Sequence, residues 1–145
     1  MNVDFEECIE KEKLVKFPHA KTFVKRGIKE AESDLESARR SLDAKNYKWA
    51  TIQAYFSMFH CARSLLYLLG YREKNHFCLI AALRVFYLDK GLISHKVIED
   101  IQLAKRMREG ADYHADFSRE GAEGLIRSAK NFISIARNII KKTQN

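Results

Sequence analysis

The hydrophobic positions of this chain recur every three to four residues over long stretches, and few turn residues interrupt them. Over 19–44 the apolar positions are Phe23, Ile28, Ala31, Leu35, Ala38 and Leu42, with charges between them, which predicts an amphipathic helix. Asn46 then reads as the N-cap of a second helix over 47–69, and Gly70 as its stop. That second segment is apolar on nearly every face, a pattern shared by a central buried helix and a membrane span. A span needs about 20 predominantly apolar residues. Gln53, His60 and Arg63 interrupt this one and its flanks carry no anchor pattern, so we read it as buried.

A third helix is predicted from a cap at Asn75 to about Lys90, with Phe77, Ile80, Ala81, Leu83, Phe86 and Tyr87 on its apolar face and Gly91 at its end. Ser94 precedes a fourth, built on Val97, Ile98, Ile101, Ala104 and Met107. Ser118 opens a fifth, in which Leu125, Ala129, Phe132, Ile133, Ala136, Ile139 and Ile140 form one stripe. Lys141 and Lys142 near its C-terminus suit the negative end of the helix dipole. Long helices joined by short loops predict an all-α protein, an up-and-down bundle of four to five helices. Residues 1–18, up to Pro18, have weak periodicity and mixed charge, and read as an N-terminal arm or short helix, with freedom to move, ahead of a single helical domain over 19–145.

Composition agrees with a folded domain. The 145 residues are 46% hydrophobic and 31% charged, enough apolar material for one core. The net charge is +7, from 26 Lys and Arg against 19 Asp and Glu. That balance favours anionic partners such as RNA or nucleotides, although ordinary solubility gives the same sign. Three cysteines, Cys8, Cys61 and Cys78, are too sparse for a disulfide scaffold, and Cys61 and Cys78 read as reduced and buried. With a charged N-terminus and no secretory pattern, the chain reads as cytoplasmic, with no membrane partner.

The residues that carry chemistry crowd into Arg108-Glu109-Gly110-Ala111-Asp112-Tyr113-His114. Arginine presents a fixed fork of donors to phosphate, and histidine moves protons near neutral pH. Arg108 and Asp112 are four apart and share a helix face. Arg108 and His114 are six apart and diverge by about 120° on a straight helix. They converge only if the helix loosens near Gly110 or if a second subunit supplies one of them. Two readings follow: a phosphodiester site at Arg108 and His114, or an intrahelical ion pair beside a core tyrosine and a solvated histidine. Other candidates are weaker. His60-Cys61 and His76-x-Cys78 lack zinc-site spacing and a completing carboxylate. His76 follows Asn75 at a helix start, where an anion could sit, but capping is the simpler role. No phosphate loop, nucleophile elbow or paired catalytic carboxylates stand out.

The run Trp49-Ala50, then Ala54-Tyr55-Phe56-Ser57-Met58-Phe59-His60-Cys61-Ala62-Arg63-Ser64-Leu65-Leu66, is similar to the second helix of small prokaryotic HEPN-domain proteins. Gly70-Tyr71, Lys74-Asn75-His76, Phe86-Tyr87 and Lys90-Gly91-Leu92-Ile93 continue the likeness. Arg108-Glu109-Gly110-Ala111-Asp112-Tyr113 resembles the Arg-x-x-Ala-Asp-Tyr signature of one branch. The likeness covers roughly 22–140. It implies a helical bundle that forms a homodimer and pairs with a small nucleotidyltransferase in a toxin–antitoxin module. It also implies a metal-independent ribonuclease with no cofactor, because Arg108 and His114, separated by five residues, fit that family's Arg-to-His spacing. Asp112 and Tyr113 would support the pair. A non-catalytic module that binds nucleotide, nucleic acid or a partner is the alternative.

Overall fold

A computed structural model describes residues 2–111 and 117–143. Among them lie six helices and one two-stranded ribbon. The helices are α1 (Val3–Glu10), α2 (Val24–Asp43), α3 (Tyr47–Leu68), α4 (His76–Leu83), α5 (His95–Ala111) and α6 (Arg119–Thr143). The ribbon pairs β1 (Leu14–Lys16) antiparallel to β2 (Tyr71–Glu73), with Leu14 opposite Glu73 and Lys16 opposite Tyr71. The predicted all-α bundle is therefore observed, with a ribbon that periodicity did not show.

The centre of the fold is α3. Its buried positions include Ala50, Ala54, Tyr55, Met58, Cys61, Ala62, Leu65, Leu66 and Leu68, which cover rather more than half of the helix's circumference, while half-exposed Trp49 lies on the remaining face. It packs against α2, α5 and α6 at once. Burial inside protein thus explains the apolar pattern, and among the described residues no helix is long and apolar enough to cross a membrane. Asn46 caps α3, its side chain accepting from the Trp49 amide at 3.4 Å. The short turn at 44–46 folds α3 back along α2, with Lys45 in the left-handed region at φ 63°.

The α2–α3 seam is close and polar in its details. Ser57 Oγ donates to the Ala31 carbonyl at 2.7 Å, and Ser64 Oγ to the Val24 carbonyl at 3.3 Å. Each hydroxyl satisfies itself against the facing helix, so small polar residues sit in the core without an unpaired donor. At Gly27 the helices are so near that a Cβ there would stand 1.9 Å from Ser64 Oγ. The amphipathic stripe of α6 closes the opposite side, with Leu125, Ala129, Phe132, Ile133 and Ala136 buried. The helix α6 begins at Ser118 as predicted, and Ser118 caps it, its Oγ accepting from the Gly121 amide at 2.9 Å.

The third predicted helix forms as α4 followed by a π-helical turn over Arg84–Leu88. Asn75 caps it, its side chain accepting from the Cys78 amide at 2.7 Å. Tyr87 in the π turn is buried and donates its hydroxyl to the Leu65 carbonyl on α3.

One expectation is sharpened here and one is corrected. Of the arm or short helix read over residues 1–18, the short helix forms, as α1. Leu14 is buried in β1, Phe5 of α1 meets Phe86 edge-on at 5.3 Å, and the ribbon ties the segment to the end of α3. Cys78 is not a reduced thiol. It forms a disulfide with Cys8 of α1, across a Cα–Cα distance of 5.7 Å and 70 positions of sequence. Cysteine spacing along a chain does not reveal which helices meet, so the pairing was invisible until α1 docked on α4. Cys61 is free and buried, as expected.

Two outcomes test this description. Gly27→Ala should be more destabilising beside Ser64 than in a Ser64→Ala background, with a coupling of about 1–3 kcal/mol in a double-mutant cycle read by urea unfolding. Additive effects would place the α2–α3 contact elsewhere. Cys8→Ser, or reduction of the wild type, should lower stability by about 2–4 kcal/mol, since the bridge closes a long loop in the unfolded chain. An unchanged urea midpoint would show that α1 contributes nothing through this link.

Candidate functional site

Arg108 occupies the last turn of α5, where that helix crosses α3. Its guanidinium carbon lies 5.2 Å from the Phe56 ring centroid and 5.5 Å from that of Tyr55. The adjacent pair Tyr55-Phe56 thus offers two π faces to one cation, a cation–π seat worth about 0.5–2 kcal/mol per contact depending on desolvation. Arginine suits such a seat because its flat, weakly hydrated head stacks while its outer N–H donors remain available.

From this seat the contacts lead inward. The Tyr55 hydroxyl lies 3.2 Å from Nδ1 of His76, the first residue of α4. This is the hydrogen bond of the Tyr55 hydroxyl among the described residues, and it holds the His76 ring beside Tyr55. Burial raises the Tyr55 phenol above its ordinary value, against the opposing pull of the Arg108 charge. Burial, and next the positive charge of Lys105, push His76 from 6.5 down to about 4, with Glu109 opposing. His76 is therefore neutral at pH 7. Glu109 accepts from Lys105 Nζ at 2.9 Å, and that hydrogen bond holds its carboxyl below the ordinary range.

His76 is not the cap that its position suggested, because the Asn75 side chain already performs that role. The imidazole is instead turned between Tyr55 and a cavity of about 310 Å³ bounded by α1, α4 and α5. Tyr55 and His76 are the residues that sequence reasoning left out of the Arg108 site. Tyr55-Phe56 stood in plain view as an aromatic pair on the most apolar helix, but no spacing rule links it to Arg108.

Of the four predicted site residues, only Arg108 lies within the described residues; Asp112, Tyr113 and His114 fall outside them. The helix does continue through Gly110 to Ala111, so the loosening at Gly110 that could have turned Arg108 towards His114 is not observed there.

The two metal alternatives separate on inspection. His60 faces α2, with Nδ1 3.2 Å from Asp34 and Nε2 3.6 Å from Glu30. Burial raises the Asp34 carboxyl, and the His60 charge opposes it. Cys61 faces the other way, its Sγ 3.6 Å from the Phe132 carbonyl, and burial holds its thiol well above the ordinary range. Cys78 is committed to Cys8. Beside His60, Arg63 forms a two-pronged ion pair with the buried Glu73, at 3.0 and 2.7 Å, which fastens β2 to α3. Among the described residues no cluster of three or more such donors could hold a metal ion.

Residues 24–139 match the HEPN domain family. Two proteins of Methanocaldococcus jannaschii, named "Putative toxin MJ0605" and "Putative toxin MJ0142", are 28% and 27% identical to this chain. Each alignment spans 79% of this chain, and 87% and 83% of the respective relatives. A UPF0332 protein of Gloeobacter violaceus is 26% identical over 76% of this chain and 90% of its own length. The crystal structure of TT1696 from Thermus thermophilus superposes with a TM-score of 0.68, covering 80% of this chain and 97% of that one at 16% identity, which shows a shared fold.

The low basicity of His76 makes a pH prediction. Its folded value lies below the unfolded one, so the stability drawn from the neutral ring is intact above about pH 6.5 and is lost as the pH falls towards 4. Urea midpoints measured from pH 7 to pH 4 should fall more steeply for wild type than for His76→Phe. Equal slopes would mean that His76 is not buried in this way.

Proposed function

The chain belongs to the HEPN domain family, and on that premise we propose that it is a toxin-like, metal-independent endoribonuclease whose Arg108 and His114 act together in a homodimer. The observation that carries this reading is the aromatic seat of Arg108. Tyr55 and Phe56 hold its guanidinium at the end of α5, six residues before His114 in the sequence. A cation fixed against two rings is already ordered, so it can meet charge developing on a phosphoryl group without reorganising. In the reaction, His114 would take the proton from an RNA 2′-hydroxyl. The freed oxygen would attack phosphorus, a cyclic phosphate would form, and the 5′-oxygen would leave with the proton returned by His114. Arg108 would stabilise the anionic oxygens, Asp112 would orient Arg108, and Tyr113 would shape the cleft.

Because α5 stays helical to Ala111, the second subunit is the simpler source of convergence. The net charge of +7 gives the dimer a field that draws RNA. The relatives named as toxins support a partnered module, and we assign the partner role to a small nucleotidyltransferase. An RNA substrate would be met in the cytoplasm.

Single-stranded RNA incubated with the full-length protein in excess chelator should be cleaved. Arg108→Ala and His114→Ala should each lower the rate by about 100-fold or more. Equal rates for wild type and His114→Ala would sink the catalytic assignment. Salt-dependent RNA binding without turnover in any of the three would replace it with the binding-module reading.

A further inference from the structure

Away from the Arg108 region, one groove combines an apolar floor with a charged rim. It runs between the N-terminal half of α2 and the C-terminal end of α6, with a volume of about 360 Å³. Val24 and Ile28 of α2 and Ile140 of α6 form its floor. Val24 and Ile28 are almost wholly buried, so the apolar surface is recessed and does not protrude. Both rims are basic. Lys25 and Lys29 stand one turn apart on α2, Arg137 and Lys141 one turn apart on α6, and all four are exposed. Among the described residues the lining holds one carboxylate, Glu32, and Arg137 pairs with it across the two helices. Four cations against one carboxylate leave the groove a net charge of +3, a large share of the +7 of the whole chain.

Helix stability does not account for this charge. The dipole of α6 favours cations at its C-terminal end, which covers Lys141. Lys25, however, lies in the first turn of α2, the end where the dipole disfavours a cation. The arrangement of the charges selects the occupant. A single-headed amphiphile needs cations at one end of its tail, whereas here they line both walls. A membrane surface would need apolar side chains that project, and Val24 and Ile28 do not. An RNA strand would use the cations and leave the apolar floor in water. A second copy set groove against groove would bring two positive rims together. An amphipathic helix with acidic residues on both flanks of its apolar stripe meets the floor and both rims at once.

We propose that the α2–α6 groove docks an acidic amphipathic helix of a partner protein. Its apolar stripe rests on Val24, Ile28 and Ile140, and its carboxylates meet Lys25 and Lys29 on one side and Arg137 and Lys141 on the other. The exposed rims speed capture and make it sensitive to salt, and the recessed floor holds the apolar anchor. Arg108 does not line this groove, so the surface stands apart from RNA cleavage.

The test uses the full-length protein, with fluorescence anisotropy of labelled peptides and amide NMR shifts as readouts. The probes are helical peptides of about 12 residues, about three turns, with a leucine stripe flanked on both sides by glutamate. Wild type should bind this peptide, with amides moving over 24–32 and 137–141, and more weakly as salt is raised. Replacing the glutamates by glutamine, or the leucines by serine, should each weaken binding about tenfold or more. Lys25→Glu with Lys29→Glu should keep the wild-type melting temperature or raise it, since it relieves the cation at the start of α2. That variant should lose the acidic peptide by about tenfold or more and prefer a peptide with lysine on one flank and glutamate on the other. No binding of the acidic peptide at millimolar concentration would overturn the proposal, as would undiminished binding to the charge-reversed variant. Equal binding of the serine peptide would reduce the groove to a charged surface and reject the docking role. Dodecanoate or a single-stranded oligonucleotide that moves the groove amides where the acidic peptide does not would pass the groove to that ligand and overturn the proposal. So would movement of the same amides on dilution of the protein alone, which would seat a second copy there.

Discussion

Everything in this molecule is arranged around a helix that must be hidden over most of its circumference. An apolar helix of the length of α3 cannot remain in water without giving up the burial of most of its side chains, each worth about 1.5–3 kcal/mol for the large ones. One neighbouring helix covers only a stripe. Wider cover needs α2, α5 and α6 around it, and α4 with the ribbon near its end. The seam with α2 shows how tight the cover is: Gly27 leaves no room for a Cβ beside Ser64, and the serine hydroxyls of α3 discharge onto α2 carbonyls. Close approach and hydrogen bonding there are one feature, because a hydroxyl can reach the facing backbone only when the helices nearly touch.

The same constraint makes α3 the distributor of polar chemistry. Its buried faces are interrupted where the covering helices meet one another, and its polar or aromatic residues surface at those gaps. His60 and Arg63 emerge towards α2 and β2, where carboxylates meet them. Tyr55 and Phe56 emerge towards α5 and α4, where they meet Arg108 and His76. The two histidines therefore live in opposite environments. His60 has two carboxylates beside it. His76 has a phenol, a lysine charge and a cavity, and is held neutral. The cations near His76 are Arg84, Lys105 and Arg106.

The N-terminal segment adds a wall to this arrangement. Family likeness begins at residue 24, yet α1 lines the cavity through Asn2 and Asp4. Its position is set by Cys8–Cys78, by Phe5 on Phe86 and by the ribbon. Each of these contacts joins residues far apart in sequence. A segment with weak periodicity can thus be as firmly placed as an amphipathic helix when its few apolar residues each find a partner.

The chain's own pattern determined the helices, because helical periodicity and caps are local properties. The stripe of α6, the caps at Asn46, Asn75 and Ser118, and the all-round apolar character of α3 could be read before any fold was known. So could Arg108 as a candidate, and the family through its motifs. Only the tertiary structure decided who meets whom. The seat of Arg108 on Tyr55 and Phe56, the link from Tyr55 to His76 and the Cys8–Cys78 bridge all cross between elements. Spacing along one helix fixes angles within that helix. It carries no information about which face of another helix will arrive opposite, and the candidate sites are built from those meetings.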